Sequence, residues 1–264
     1  MTNVSLILLV NRNNTMNKVW FAIFAVILIL TGSAYMAFYY HQSGSVILEF
    51  HARVGAKPLE FGQPRYANPG GKGRFSIRAF QVYLSNIHLV GSMQDYQVSD
   101  SYHLARFDNE TRRYRIELTD VPYDEYSDLM ISIGVDEEAN SSLMPKGDLD
   151  PNGRMAWSWE VGYKFLLFEG GLEYENNRLP LVYHVGFSEN LKTQRFNLSK
   201  TITPGSATIH FDVDVLALFD SHQSIDMAAL PSVKFDRNDA NLLAENYANM
   251  LSLTAKQSHH PAEN

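Results

Sequence analysis

The chain has no cysteine, which excludes disulfides, thiolate metal ligands, thiol nucleophiles and a lipid-bearing cysteine. It also lacks excess positive charge. Its 22 Lys and Arg against 29 Asp and Glu give a formal net charge of −7, so no broad nucleic-acid surface is expected, because such surfaces are basic. Tryptophan is scarce. Of three in the chain, Trp20 sits in an N-terminal apolar run, and Trp157 and Trp159 stand one residue apart. Long hydrophobic runs are missing after Tyr40, and the one before it defines the N-terminus.

From Val19 to Tyr40, "VWFAIFAVILILTGSAYMAFYY", no residue is charged, and Arg12 and Lys18 precede the run. A basic flank ahead of an apolar stretch is an export signal. Its 22 residues also reach the roughly 20 needed to span a bilayer as a helix. Two readings stay open: a signal peptide cleaved after Ala34, or an uncleaved anchor in the inner membrane over residues 19–40. Both put the remainder outside the cytoplasm by the positive-inside rule. Met16 offers a second start, from which "MNKVWFAIFAVILIL" reads as an ordinary signal.

Beyond Tyr40 the hydrophobic period is two. In "SVILEFHARV", Val46, Leu48, Phe50, Ala52 and Val54 share one face, and Ile47, Glu49, His51 and Arg53 share the other. Further strands are predicted over Phe75–Val90, Tyr114–Leu118, Leu129–Val135, Met155–Phe168, Pro180–Phe187, Gln194–Leu198 and Ala207–Leu216. Turn clusters such as "ANPGGKG", "GDLDPNG" and "ENNR" punctuate them. Helical spacing returns near the end, where Ala240, Leu243, Ala244, Tyr247 and Leu251 align behind a cap at Asp236 or Asn238. The expected fold class is all-β, an antiparallel β-sandwich (Ig-like or related) with a C-terminal helix and an N-terminal signal or anchor helix. The expected division is residues 1–40 as signal or anchor, 41–255 as one domain and 256–264 as a disordered tail.

Three groups of residues could carry chemistry. His51, His184 and His210 lie on predicted strands, each directed away from its strand's apolar stripe, where an imidazole is free to reach a metal. Two imidazoles leave a metal short of ligands, so a third donor is needed. Met155, Trp157 and Trp159 share a strand face. There they are either core aromatics or a stacking platform. Asp148, Asp150, Asn152 and Gly153 form D-x-D-x-N-G, the front half of a calcium loop. The match fails at its twelfth position, Trp159, where a glutamate belongs. Asp and Asn also favour turns unaided. No Ser-His-Asp grouping stands out. Asp136, Glu137 and Glu138 read as a solvated acidic turn, and Glu160 with Glu169 as a conceivable carboxylate pair. No enzyme activity is expected.

"GDLDPNGRMAWSWEVGYKFLLFEG" resembles the signature of the MbnP-like periplasmic copper-binding proteins, G-D-L-D-P-x-N-G-M-x-W-x-W-x-x-G-Y followed by an E-G pair. "FHARVGAKPL", "VYLSNIHLV", "IGVDEEAN", "YHVGF" and "NYANMLSL" agree in order, over roughly Ser45 to Leu253. One departure is the inserted Arg154. The resemblance implies an exported copper protein related to methanobactin-associated and copper-repressible surface proteins. In that group copper(I) is held by two histidines and by kynurenine, made from tryptophan by a di-haem partner of the MauG and cytochrome c peroxidase type (the MbnH type). Carried onto this chain, it implies His51 and His184 as ligands and Trp157 or Trp159 as the oxidised residue. The competing readings are a calcium-dependent or aromatic-platform binding module without copper, and an anchored structural protein in which these residues are core.

Overall fold

The alternation after Tyr40 becomes β1 (Ser43–Val54), which buries Val46, Leu48, Phe50, Ala52 and Val54 and turns Glu49, His51 and Arg53 outward. The computed structural model describes residues 18–35, 42–110, 112–158, 161–205 and 207–254. The predicted tail and Trp159 lie outside them. Helix α1 (Lys18–Tyr35) has 18 residues, a mean hydropathy of 1.8 and no buried share. At 1.5 Å per residue it is roughly 27 Å long, close to the thickness of a bilayer core. Such a helix fits a signal or an anchor.

Short strands β2 (Lys57–Pro58) and β3 (Tyr66–Ala67) precede the long β4 (Arg74–Gly91). Next come β5 (Tyr96–Gln97), β6 (Tyr102–Phe107), β7 (Arg113–Pro122) and β8 (Tyr126–Ile133). A one-turn helix α2 (Glu137–Asn140) leads into β9 (Ala156–Ser158), β10 (Gly162–Tyr174) and β11 (Asn177–Gly186). The chain ends through β12 (Lys192–Ile202), β13 (Ala207–Asp214), β14 (Ser232–Val233), α3 (Arg237–Tyr247) and β15 (Leu251–Leu253).

Two sheets face each other. One runs β15-β13-β1-β2, with β7 also on β1; the other runs β12-β8-β4-β10-β11-β14, with β3, β5 and β6 on β4 and β9 on β10. The expected all-β sandwich is therefore present. Among the named strands of the described residues, two pairings are parallel, β1 with β13 and β11 with β14, and the other strand pairings are antiparallel. The main core joins the two inner faces. Phe211 of β13 stacks on Phe50 at 5.1 Å and meets Phe196 of β12 edge-on at 5.0 Å. A smaller cluster of Tyr83, Leu149, Met155, Tyr163, Phe165 and Leu167 covers the outer side of the larger sheet.

The long strand expected over Met155–Phe168 is instead two. β9 turns back into β10 at Gly162, whose φ of 79° is in the region that favours glycine. Asn140 holds that corner, accepting from Tyr163 N at 2.8 Å and donating to Val161 O at 3.2 Å. Met155 then packs into the smaller cluster, while Trp157, partly buried, reaches Phe187 at the edge of the main core. The acidic turn is not simply solvated either. Asp136 caps α2 through Ala139 N and accepts from Tyr102 Oη at 2.6 Å. At the other end, Asp236 is the cap of α3, accepting from Asn238 N and Asp239 N.

Phe211 is fully buried where the sheets meet, so Phe211→Ala should lower unfolding stability by about 3–5 kcal/mol. Urea unfolding followed by circular dichroism checks this; a loss below about 1 kcal/mol would mean that the sheets do not pack through this ring.

Candidate functional site

The carboxylate of Glu169, in the middle of β10, is the centre of a polar cluster beside Trp157. It accepts from Arg78 Nη2 at 2.6 Å, from Arg154 Nη2 at 2.5 Å, and lies 3.1 Å from His184 Nε2. Its side chain is 11% exposed, which makes these partners necessary. Burial alone would raise the Glu169 pKa, but the hydrogen bonds from Arg154, His184 and Arg78 outweigh it and hold the group at about 2. Glu169 is thus an anion that can only accept, so His184 presents N–H at Nε2 and a free lone pair at Nδ1. His184 itself is pushed below its ordinary pKa, first by burial and then by Lys164 and Lys234, against the pull of Glu169. A neutral imidazole is the ligand form.

Trp157 stands against this histidine. The two rings meet edge to face at 6.4 Å between centroids, and the indole also packs on Phe187 at 5.7 Å and stacks on Phe235 at 4.9 Å. Gly186 makes the approach possible, since a Cβ there would lie 2.9 Å from Trp157 Cζ3 and 2.6 Å from Tyr163 O. Lys164 fixes the strand carrying the indole. Its backbone N donates to Met155 O at 2.7 Å and its ammonium to Arg154 O at 2.6 Å, with Nζ 6.0 Å from the Trp157 ring centre. A cleft of ≈ 540 Å³ opens beside the indole, lined by Asn140, Ser142, Asn152, Ala156 and Gly162 among others.

The structure does not assemble the expected trio of His51, His184 and an indole. His184 and Trp157 are together, whereas His51 lies on the outer face of the opposite sheet, beside Glu49 and His210. The reason is strand parity. Phe50 and Ala52 point into the core from one side, and Tyr183 and Val185 from the other. The residues between them are turned outward in opposite directions, across sheets about 10 Å apart. Trp159 and Glu160 lie outside the described residues, so the Glu160–Glu169 pair is not described; Glu169 is engaged by its cations.

The acidic loop acts as a brace in this structure. Asp148 accepts from Leu104 N at 2.8 Å and from Tyr114 Oη at 3.3 Å, while Asp150 accepts from Asn152 N at 2.9 Å. These contacts serve turn formation and docking of the loop on β6. Sequence reading passed over Lys164 and Phe235, marked Arg154 only as an insertion in the motif, and met Gly186 and Phe187 only as part of "YHVGF".

Glu169 has a depressed folded-state pKa, so its contribution to stability is complete above the ordinary 4.5 and is lost as pH falls toward about 2. Glu169→Gln should therefore flatten the decline of unfolding stability across that window. Denaturant titrations at several pH values measure it, and an unchanged slope in the variant would show that the carboxylate is not held in this way.

A family model for MbnP matches residues 43–235. Among solved structures, MbnP from Methylosinus trichosporium is similar in fold, with a TM-score of 0.51, 16% identity, and coverage of 74% of this chain and 82% of that one. No curated protein matches. The family match spans both sheets, the acidic loop, the tryptophan hairpin and the Glu169–His184 pair, and the chain belongs to the MbnP family.

Proposed function

We propose that this protein is an exported, periplasmic copper-binding protein that holds copper(I) through His184 and a kynurenine formed from Trp157, for acquisition, storage or delivery of copper. The observation that carries the reading is the edge contact between Trp157 and a neutral His184 whose Nε2 is tied to Glu169. An indole nitrogen is a poor ligand because its lone pair belongs to the ring. Opening the ring gives an aromatic amine that can donate. With imidazole Nδ1 it supplies two neutral nitrogens, a set suited to a low-coordinate monovalent ion. The guanidinium groups of Arg78 and Arg154 on Glu169, and the Lys164 ammonium 6.0 Å from the Trp157 ring centre, further disfavour a dication.

The oxidation falls to a di-haem partner of the MauG and cytochrome c peroxidase type. With peroxide as oxidant, the pyrrole double bond is cleaved, two peroxide molecules each deliver one oxygen atom and leave as water, and N-formylkynurenine results. Hydrolysis then releases formate and leaves kynurenine. The cleft beside Trp157 gives access from solvent, and the exposed Leu143 and Met144 follow Ser142 at its rim. The apolar helix α1 supports export, as a signal or as an inner-membrane anchor.

Copper(I) competition titration under reducing conditions, on protein isolated from its native host, tests the reading. Wild type should bind copper, Trp157→Phe and His184→Ala should each weaken it by about tenfold or more, and His51→Ala should leave it unchanged. Loss of binding in His51→Ala with retention in His184→Ala would overturn the assignment.

A further inference from the structure

The outer face of the smaller sheet carries a second, differently composed cluster. Glu49 and His51 are two residues apart on β1, hence on one face, and the parallel register sets His210 of β13 directly beside Glu49. His51 Nε2 lies 3.0 Å from Glu49 Oε1, and His210 Nδ1 lies 3.9 Å from Glu49 Oε2. One donor atom from each of the three falls within 4.8 Å of the others. The imidazole rings are 5.9 Å apart and tilted by 50°, so they converge on the carboxylate without stacking.

We propose that Glu49, His51 and His210 form a binding site for a divalent first-row ion of the zinc(II) or copper(II) class, separate from the Trp157–His184 centre. Two imidazoles and one carboxylate are a ligand set that such ions take, with a further position left to water. The carboxylate argues against copper(I), which prefers softer donors. Three properties make the cluster usable. Its donors sit on adjacent central strands, whose backbone hydrogen bonds fix their spacing. The side chains of Glu49, His51 and His210 are 21%, 32% and 49% exposed, so an ion can enter from solvent. The remaining neighbours do not block it. Asp212, opposite His51, is engaged by Arg53 and Thr254. Arg113 reaches Glu49 at 3.4 Å from a side chain that is 71% exposed, a contact weak enough for an ion to displace. Arg115, opposite Glu49, leans toward Glu117 at 3.4 Å.

The full chain, stripped with a chelator and carrying no affinity tag, is titrated by calorimetry with zinc(II) and with copper(II). One ion per chain should bind, and His210→Ala and Glu49→Gln should each weaken it by about tenfold or more. His184→Ala should have no effect, and the bound copper(II) should show imidazole nitrogen coupling by electron paramagnetic resonance. Melting curves without metal verify that both variants remain folded, and added zinc should raise the midpoint of wild type alone. Binding that survives both variants, or that disappears when the sequence neighbours His259 and His260 are replaced, would overturn the site.

Discussion

A single buried carboxylate organises the larger sheet's outer side. Glu169 has little access to water, so it must be neutralised by contacts, and the contacts come from three separate pieces of chain. Arg78 arrives from β4, Arg154 from the end of the acidic loop, and His184 from β11. Each is thereby fixed relative to the others. The loop is docked by its arginine, the imidazole is oriented through Nε2, and Trp157, three residues beyond Arg154, is delivered against the imidazole. Removing the charge at Glu169 would leave two guanidinium groups without their partner and release the histidine's orientation.

The sandwich separates two kinds of side-chain environment. On one outer face, a neutral imidazole and an indole lie among cations. On the other, two imidazoles flank a carboxylate. Coulomb energies scale with charge, so the first environment penalises a dication far more than a monocation, whereas the second offers a formal negative charge to a dication. The core between them is aromatic and fully buried, so neither set of side chains can reach the other without unfolding. His51 and His184 are outward-facing on their own strands, and the same alternation that frees them from the core directs them apart.

Much of this was legible in the sequence. Period-two patterning located β1, β4, β11 and β13 closely, because each has one buried face and the alternation is clean. Helix α3 was legible from its spacing and from Asp236, one of its two candidate caps, but Leu251, aligned with it by spacing, belongs instead to β15. The Met155–Phe168 segment misled because its aromatic and aliphatic residues run through both strands with only Gly162 to mark the turn; the reversal there depends on Asn140, a residue remote in sequence. Convergence of side chains was the least legible feature. Strand parity tells which face a residue occupies but not which sheet its strand joins, so His51 and His184 could not be told apart from a facing pair. The pairing of Glu49 with His210 rests on a parallel contact between strands more than 150 residues apart, for which no local signal exists. The Arg154–Glu169 bond is similar: an insertion marked one partner, and only folding supplies the other.

The central claim is that Trp157 is the residue held for oxidation, because its ring touches the oriented imidazole. Trypsin cuts after Arg154 and Lys164, releasing both paired tryptophans in one peptide, and fragmentation between them separates their masses. In protein from the native host, tandem mass spectrometry should place a gain of roughly four mass units for kynurenine, or roughly thirty-two for its formyl precursor, on residue 157. An unmodified Trp157, or an increment confined to Trp159, would contradict the account.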